Sequence, residues 1–192
     1  MSDIIECHPF EPFLPENAHL LMLGTFPPAE KRWCMAFYYP NFINDMWRIF
    51  GICFYGDKNH FVVEQEKRFD LEKIVSFLEM KGIALYDTAT RIRRTKDNAS
   101  DKDLEIVEPT DLDAMLGKIP SCKAVVTAGQ LATEVFCDHY RLPLPKVGEF
   151  IPFRLGSREL RLYRMPSSSR AYPMKAERKA EFYDIVFKYL KL

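Results

Sequence analysis

A short apolar run at residues 20–23, LLML, stops abruptly at Gly24 and is followed by a segment that cannot form regular structure. Four apolar residues ended by a glycine are typical of a buried parallel strand. The prolines at positions 27 and 28 lack backbone donors, and the first of them disfavours a helical conformation at Phe26. Long loops at the carboxyl ends of strands carry the ligand sites of open α/β sheets. The stretch 24–44 therefore predicts a binding site.

Strand-like and helix-like patterns alternate along the rest of the chain, which predicts a parallel sheet covered by helices on both faces. A helix is expected from Asn44, whose amide suits an N-cap, to just before Gly51. A second is expected over 70–82, where an aspartate and a glycine mark the ends. The further predicted elements are strands at 83–87, 123–127, 150–155 and 160–165, helices from 110, at 130–137 and at 175–190, and an irregular arm at 1–19.

The composition of the 192 residues is that of an ordinary globular protein, and we expect one domain over 1–192. The 27 basic and 27 acidic side chains balance, which argues against a non-specific DNA binder with a global basic excess. No apolar run is long enough to span a bilayer and no signal-like segment opens the chain, so we expect no membrane partner and a cytoplasmic location. The five cysteines are scattered without a C-x-x-C pair, which favours buried free thiols over a metal site.

Three loops, 24–44, 87–99 and 165–173, each follow the carboxyl end of a predicted strand. Because the carboxyl ends of parallel strands meet at one edge of a sheet, we expect the three loops to converge. The first is rich in aromatic and amide side chains, the second in arginines, and the third in hydroxyls. Aromatic faces stack on bases, amides read base edges and hydroxyls hold phosphates. The loops therefore predict a nucleotide site, which we interpret as a pocket for a flipped nucleobase.

The order and spacing of these segments resemble the uracil-DNA glycosylase superfamily, and most closely its hypoxanthine-DNA glycosylase-like branch. Residues 23–28, LGTFPP, are similar to the first motif of that branch, and residues 38–47, YYPNFINDMW, to its Tyr-Tyr…His-Pro-Arg-Asn-x-Phe-Trp signature. Residues 165–171, MPSSSRA, resemble its second motif, Leu-Pro-Ser-Thr-Ser-Pro-Ala. Residues 82–87 resemble the base-reading strand, and 107–112 and 127–130 resemble flanking landmarks.

This resemblance implies a three-layer α/β/α sandwich around a short, mainly parallel four-stranded sheet. It also implies a monofunctional DNA glycosylase of base excision repair, which hydrolyses the N-glycosidic bond of a flipped deaminated base (hypoxanthine, xanthine or uracil). Rotating the base out of the duplex costs roughly a few kcal/mol. The implied partner is DNA containing a damaged or deaminated base. No cofactor is implied, and we expect a monomer.

Two positions depart from the best-known members of that superfamily. Phe26 stands where they carry an Asp or Asn that orients water, and a phenyl ring cannot align water. The resemblance offers Asn44 instead as the catalytic amide, with Asn41 as the alternative register, although Asn44 also suits a plain helix cap. Met165 replaces the histidine of the second motif and cannot hydrogen-bond a base carbonyl strongly, so we expect catalysis to be weaker or differently arranged.

Asp87 stands where the uracil-specific members place a base-reading Asn. An ionised carboxylate only accepts hydrogen bonds, so Asp87 either favours a base edge rich in N–H or must be protonated, which makes a deaminated purine a candidate substrate. A turn or helix cap is the alternative interpretation of Asp87. The other candidates for contact with the base are Gly24, Thr25, Phe26, Pro27, Tyr38, Tyr39 and Asn41, and those for contact with the DNA backbone are Ser167, Ser168, Ser169, Arg170, Arg91 and Arg93.

Two functions of other classes remain open. Loss of both polar motif positions, at Phe26 and Met165, is also what a catalytically silent nucleic-acid-binding module would show. A nucleoside hydrolase is the other, because a pocket for a flipped base also suits a free nucleoside.

Overall fold

The structure, a computed structural model, describes residues 4–96 and 101–192. Its helices are α1 (Met46–Tyr55), α2 (Leu71–Lys81), α3 (Leu112–Lys118), α4 (Gln130–Tyr140) and α5 (Ala176–Leu190). Its strands are β1 (Ile5–Cys7), β2 (Leu20–Gly24), β3 (Val62–Val63), β4 (Arg68–Phe69), β5 (Ile83–Asp87), β6 (Ala89–Arg94), β7 (Leu104–Pro109), β8 (Ala124–Ala128), β9 (Phe150–Leu155) and β10 (Arg158–Met165).

The central sheet has five strands in the order β5-β2-β8-β10-β9. The first four are parallel, and β9 pairs with β10 as an antiparallel edge strand. Every residue of β2, β5 and β8 is buried, which explains why their sequences are nearly continuous apolar runs. The predicted three-layer α/β/α sandwich with a mainly parallel sheet is confirmed. The sheet has five strands rather than four, because the hairpin partner of β10 extends its outer edge.

A second, antiparallel sheet in the order β1-β6-β7 corrects two predictions. The arm at 1–19, expected to be irregular, contains β1, and the loop expected at 87–99 contains β6. Residues 97–99 of that predicted loop lie outside the described residues. The sequence did not predict this strand, because its arginines interrupt the apolar pattern. Ala89 and Ile92 are buried, while Arg91 and Arg93 pair with glutamates of β7.

Helix α1 ends later than predicted. Gly51 does not terminate it; the helix continues to Tyr55 and ends at Gly56, which has a left-handed backbone with φ of 66°. Gly51 is buried inside the helix, and a Cβ built there would lie 2.3 Å from the carbonyl oxygen of Asp57. Glycine is therefore needed at position 51 for the close approach of the following loop.

Helix α2 begins and ends where the sequence predicts. Asp70 caps its first turn, because its carboxylate accepts a hydrogen bond of 3.1 Å from the Lys73 backbone N–H. Gly82 ends it in the left-handed conformation. The other predicted helices and strands are present close to their expected bounds.

Within the described residues, no helix combines the length and apolar character needed to cross a membrane. The five cysteines are free thiols. Cys122 and Cys137 are buried as expected, but Cys7 is exposed at the end of β1, so the expectation of buried thiols is wrong for that residue.

Candidate active site

The carboxyl ends of the parallel strands lie side by side at one edge of the central sheet. Gly24 is in register with Asp87, and Met165 with Ala128. The chain after Asp87 runs on beside the start of the first loop, since the Thr88 backbone N–H donates to the Gly24 carbonyl over 2.9 Å. The third predicted loop meets the residue that follows the first, through a hydrogen bond of 2.9 Å from the Asp45 N–H to the Ser168 carbonyl.

Asp87 is only 6% exposed, and its two carboxylate oxygens face different partners. Oδ2 accepts a hydrogen bond of 2.9 Å from Nε2 of His8, whose side chain is also buried. Oδ1 faces Gly24 so closely that a Cβ built on that glycine would lie 2.5 Å from it. Gly24 therefore makes room for the carboxylate, a role that its position at the end of a strand did not reveal.

The His8 ring is held from several sides. Its Nδ1 lies 2.9 Å from the carbonyl oxygen and 3.2 Å from the backbone nitrogen of Phe10. Protonated imidazolium would donate from both nitrogens, to the carbonyl and to Asp87. The Tyr86 and Phe26 rings lie 4.6 and 5.2 Å from its centroid. The sequence indicated no role for His8, because its partner lies 79 positions away.

A second acidic side chain approaches the first loop. The Thr25 hydroxyl, on a residue only 3% exposed, donates a hydrogen bond of 2.9 Å to Oδ2 of Asp101. Burial raises the pKa of Asp101 to about 6, with a further upward contribution from Asp87; the Thr25 hydrogen bond and Arg94 act in the opposite direction. Asp101 was not among the predicted site residues, because a charged stretch such as 101–105 is typical of a solvated surface.

The Tyr39 hydroxyl reaches the same edge. It lies 3.7 Å from where a Cβ on Gly24 would be, and burial, followed by smaller contributions from groups that include Asp87 and Asp101, holds its pKa well above the ordinary value. Among the described residues, neither this hydroxyl nor that of Thr88 has a hydrogen-bond partner, although both are buried. Such orphaned groups are uncommon in folded proteins, so this edge retains capacity for a further polar group.

The other predicted base-contacting residues have structural partners. Tyr38 is 2% exposed and donates its hydroxyl hydrogen bond to the Glu11 carbonyl over 2.7 Å. The Pro27 carbonyl accepts a hydrogen bond of 3.1 Å from Arg94. Asn41 closes a turn, because its side-chain oxygen accepts from the Ile43 N–H over 3.1 Å.

Asn44 lies at the amino end of α1. Its side-chain oxygen accepts a hydrogen bond of 2.9 Å from the Met46 N–H, so it caps the first turn one residue before the helix boundary at Asp45. The amide nitrogen is the donor group that this capping leaves for a substrate. Met165, by contrast, is fully buried at the end of β10.

A buried ion pair joins α5 to the amino end of α1, and its lysine also bonds to the third loop. Lys179 of α5 is fully buried, and its Nζ donates to Oδ2 of Asp45 over 2.9 Å and to the Ser169 carbonyl over 2.7 Å. Arg170 approaches the other Asp45 oxygen to 3.6 Å from a more exposed position. The three serines at 167–169 form a turn that is held by local hydrogen bonds, such as that of 3.2 Å from the Ser169 N–H to the Ser167 hydroxyl.

A groove of about 470 Å³ opens beside this ion pair, between the amino ends of α1 and α5. Basic side chains outnumber acidic ones on its walls, which attracts anions. Neither Asp87 nor Asp101 is among the described residues that line it. The charged residues lining the groove are Arg48, Lys58, Arg170 and Lys175, with Asp45 and Glu177.

Arg91 and Arg93 lie on β6, where each has an acidic partner on β7. Arg91 is 3.6 Å from a Glu108 oxygen, and Arg93 is 2.7 Å from a Glu105 oxygen.

In the described part of the chain, no group of three or more His, Cys, Asp or Glu side chains could hold a metal ion.

No family model matches the chain, and no curated protein matches it. Its fold is similar to the solution NMR structure of a "putative uracil DNA glycosylase" from Methanosarcina acetivorans. The two share 21% identity over 98% of this chain and 100% of that one, with a TM-score of 0.66. At that identity the likeness establishes a common fold.

Proposed function

We propose that the chain is a monofunctional DNA glycosylase, which hydrolyses the N-glycosidic bond of a flipped deaminated base: hypoxanthine, xanthine or uracil. The observation that carries the proposal is the buried Asp87 carboxylate at the carboxyl end of β5, in register with Gly24 of the first motif. The resemblance assigns base reading to this position. The common fold with a protein described as a "putative uracil DNA glycosylase" supports the same function.

The chemistry of the cluster suits recognition of a deaminated base. Hypoxanthine, xanthine and uracil each present a ring N–H beside a carbonyl, and the Asp87 carboxylate can accept from that N–H. His8 orients the carboxylate through its 2.9 Å hydrogen bond to Oδ2 of Asp87. The unpartnered hydroxyl of Tyr39 can donate to a base carbonyl at the same edge.

Bond cleavage places positive charge on the deoxyribose and negative charge on the leaving base, so water must be positioned and the base must receive hydrogen bonds. The amide nitrogen of Asn44 is the donor that we assign to water or substrate. The basic groove with Arg170 and the adjacent Ser167–Ser169 turn would hold the backbone phosphates of the partner DNA, with the protein acting as a monomer.

One observation favours a second candidate, a catalytically silent nucleic-acid-binding module. Met165 is fully buried, so the second motif presents no side chain that could stabilise the leaving base at that position. Such a module would bind duplexes in the groove and release no base.

Base release tests these functions against each other. Duplexes containing hypoxanthine, xanthine or uracil, and the corresponding free nucleosides, are incubated with the wild-type protein and with N44A. We expect release from at least one duplex, with a loss of at least about 100-fold in N44A, which is in the range for removing one transition-state donor. Duplex binding without release from any lesion would support the silent module, and cleavage of nucleosides alone would support a nucleoside hydrolase.

A further inference from the structure

The first loop lacks a polar side chain at Phe26, but the adjacent residue brings one from elsewhere in the chain. Thr25 precedes Phe26 and donates its hydroxyl hydrogen bond to Asp101, which belongs to the connection between β6 and β7. The bond joins residues 76 positions apart and is made by a threonine that is almost completely buried. A carboxylate is therefore held against the loop that leaves the carboxyl end of β2.

Two further polar groups lie at the same end of β2. Oδ1 of Asp87 and the Tyr39 hydroxyl are 2.5 and 3.7 Å from where a Cβ on Gly24, the residue before Thr25, would be. The Tyr39 hydroxyl oxygen is buried and has no hydrogen-bond partner among the described residues, so the site can accept a further polar group there. One oxygen of Asp87 accepts a hydrogen bond from His8, and one oxygen of Asp101 accepts a hydrogen bond from Thr25.

We propose that Asp101 is a catalytic residue of the hydrolysis, whose carboxylate accepts the proton of the attacking water. The assignment rests on the proposed glycosylase function and names the general base that its first motif lacks. Asp87 then binds the base, and Asp101 accepts a proton from the attacking water. Two neighbouring carboxyl groups in different environments commonly divide such roles in this way.

The step balances without a co-reactant. Water transfers one proton to the Asp101 carboxylate while its oxygen bonds to C1′ of the deoxyribose. The C1′–N bond breaks, and its electron pair leaves with the base. The proton held by Asp101 then returns through solvent to the base anion, which regenerates the carboxylate.

The pH dependence follows from the burial of Asp101 and from the charged groups that face it. Burial is the main cause of the raised pKa of Asp101; Asp87, paired with His8, raises it further, while the hydrogen bond from Thr25 lowers it. Arg94 also lowers it and is itself held by two 3.0 Å hydrogen bonds to a glutamate of β1. Burial dominates and brings the pKa to about 6, near the value at which a general base works best at neutral pH.

Single-turnover base release, measured from pH 4.5 to 8 on the duplex that the wild type cleaves fastest, tests the assignment. The wild-type rate should rise with pH through about 6, as Asp101 ionises. D101N should be at least about 100-fold slower and should lack that rise. T25V should keep the rise but shift its midpoint to higher pH, because the carboxylate loses a donor. A purely structural role for Thr25 would not move the midpoint.

H8Q is the control for His8, a further titratable group at this edge, and it should retain a rise with pH. D101N should melt as a folded protein and bind the duplex as the wild type does. The assignment is overturned if D101N keeps the wild-type rate, if it slows but keeps the rise, or if the rise disappears in H8Q alone. Absence of release by the wild type is a different result, which defeats the proposed function and with it this assignment.

Discussion

Asp101 makes the folded chain less stable at neutral pH. Its raised pKa means that the folded state binds more protons than the unfolded state between about pH 4 and 6. Its contribution to stability is therefore fully present below about pH 4 and is lost as the pH rises through about 6. A pKa difference of about 2 corresponds to about 3 kcal/mol, an upper limit for this cost.

D101N cannot ionise, so we expect it to be more stable than the wild type at pH 7 by up to about 3 kcal/mol. The advantage should vanish near pH 4, where the wild-type carboxyl is protonated. Urea denaturation at both pH values measures the difference. Equal free energies of unfolding at pH 7 would show that Asp101 is not desolvated.

Lys179 offers a second test at the level of single residues. K179M leaves the buried Asp45 carboxylate without its ammonium partner and removes the donor to the Ser169 carbonyl. Breaking a buried pair from one side costs about 3–5 kcal/mol, and we expect a loss of that size in denaturant unfolding. K188M is the matched control, because Lys188 pairs with Asp184 on the exposed side of the same helix and its loss should leave the midpoint unchanged. A similar effect of both changes would contradict the role of the buried pair.

The residues at the candidate site differ in how far sequence could identify them. The position of Asp87 beside Gly24 follows from two apolar runs that read as parallel strands, and the structure places these residues in register. His8 and Asp101 carry no such signal. His8 bonds to a residue 79 positions away and lies in the amino-terminal arm, and Asp101 bonds to a residue 76 positions away and lies in the connection before β7; neither segment has a periodic pattern. Pairings of this kind arise only when the second sheet is assembled.

At the level of elements, local chemistry predicted helix α2 well and α1 less well. The ends of α2 depend on neighbouring residues alone: a capping aspartate and a left-handed glycine. The apparent stop of α1 at Gly51 was misleading, since that glycine serves a contact with a loop. Strand β6 was missed because its arginines are satisfied by glutamates across the ladder rather than by solvent. Tertiary contacts override local propensity in both cases.

Two glycines in helices should respond oppositely to alanine. G51A places a Cβ 2.3 Å from the Asp57 carbonyl oxygen, so it should destabilise the protein despite the better helix propensity of alanine. G117A in α3 meets no atom within 4 Å, so it should stabilise the protein by about 0.5–1 kcal/mol. Thermal and urea unfolding of both variants provide the comparison. Stabilisation by G51A would contradict the close approach of the loop after α1.

At the scale of the whole molecule, a chain with no net charge can bind DNA only through a local basic surface. The groove with Arg170 and Lys175 is the surface that we assign to this role. Each phosphate contact contributes about 1 to the slope of log affinity against log salt concentration. R170A/K175A should therefore make the slope less steep by up to about 2.

The matched control for this salt dependence is K118A/K123A. It removes the same charge from exposed positions before β8, at the opposite edge of the sheet. Fluorescence anisotropy with a labelled duplex at several salt concentrations measures both slopes. Equal slopes for the two double variants would exclude the groove as the phosphate-binding surface.

The central claim concerns a single bond, and product analysis tests it most directly. Wild-type protein in excess is incubated with duplexes that each carry one hypoxanthine, xanthine or uracil, and the products are identified by mass spectrometry. The account predicts free base and an abasic strand in equal amounts from at least one duplex, with the phosphodiester backbone intact. Complete recovery of all three duplexes, bound but uncleaved, would contradict it.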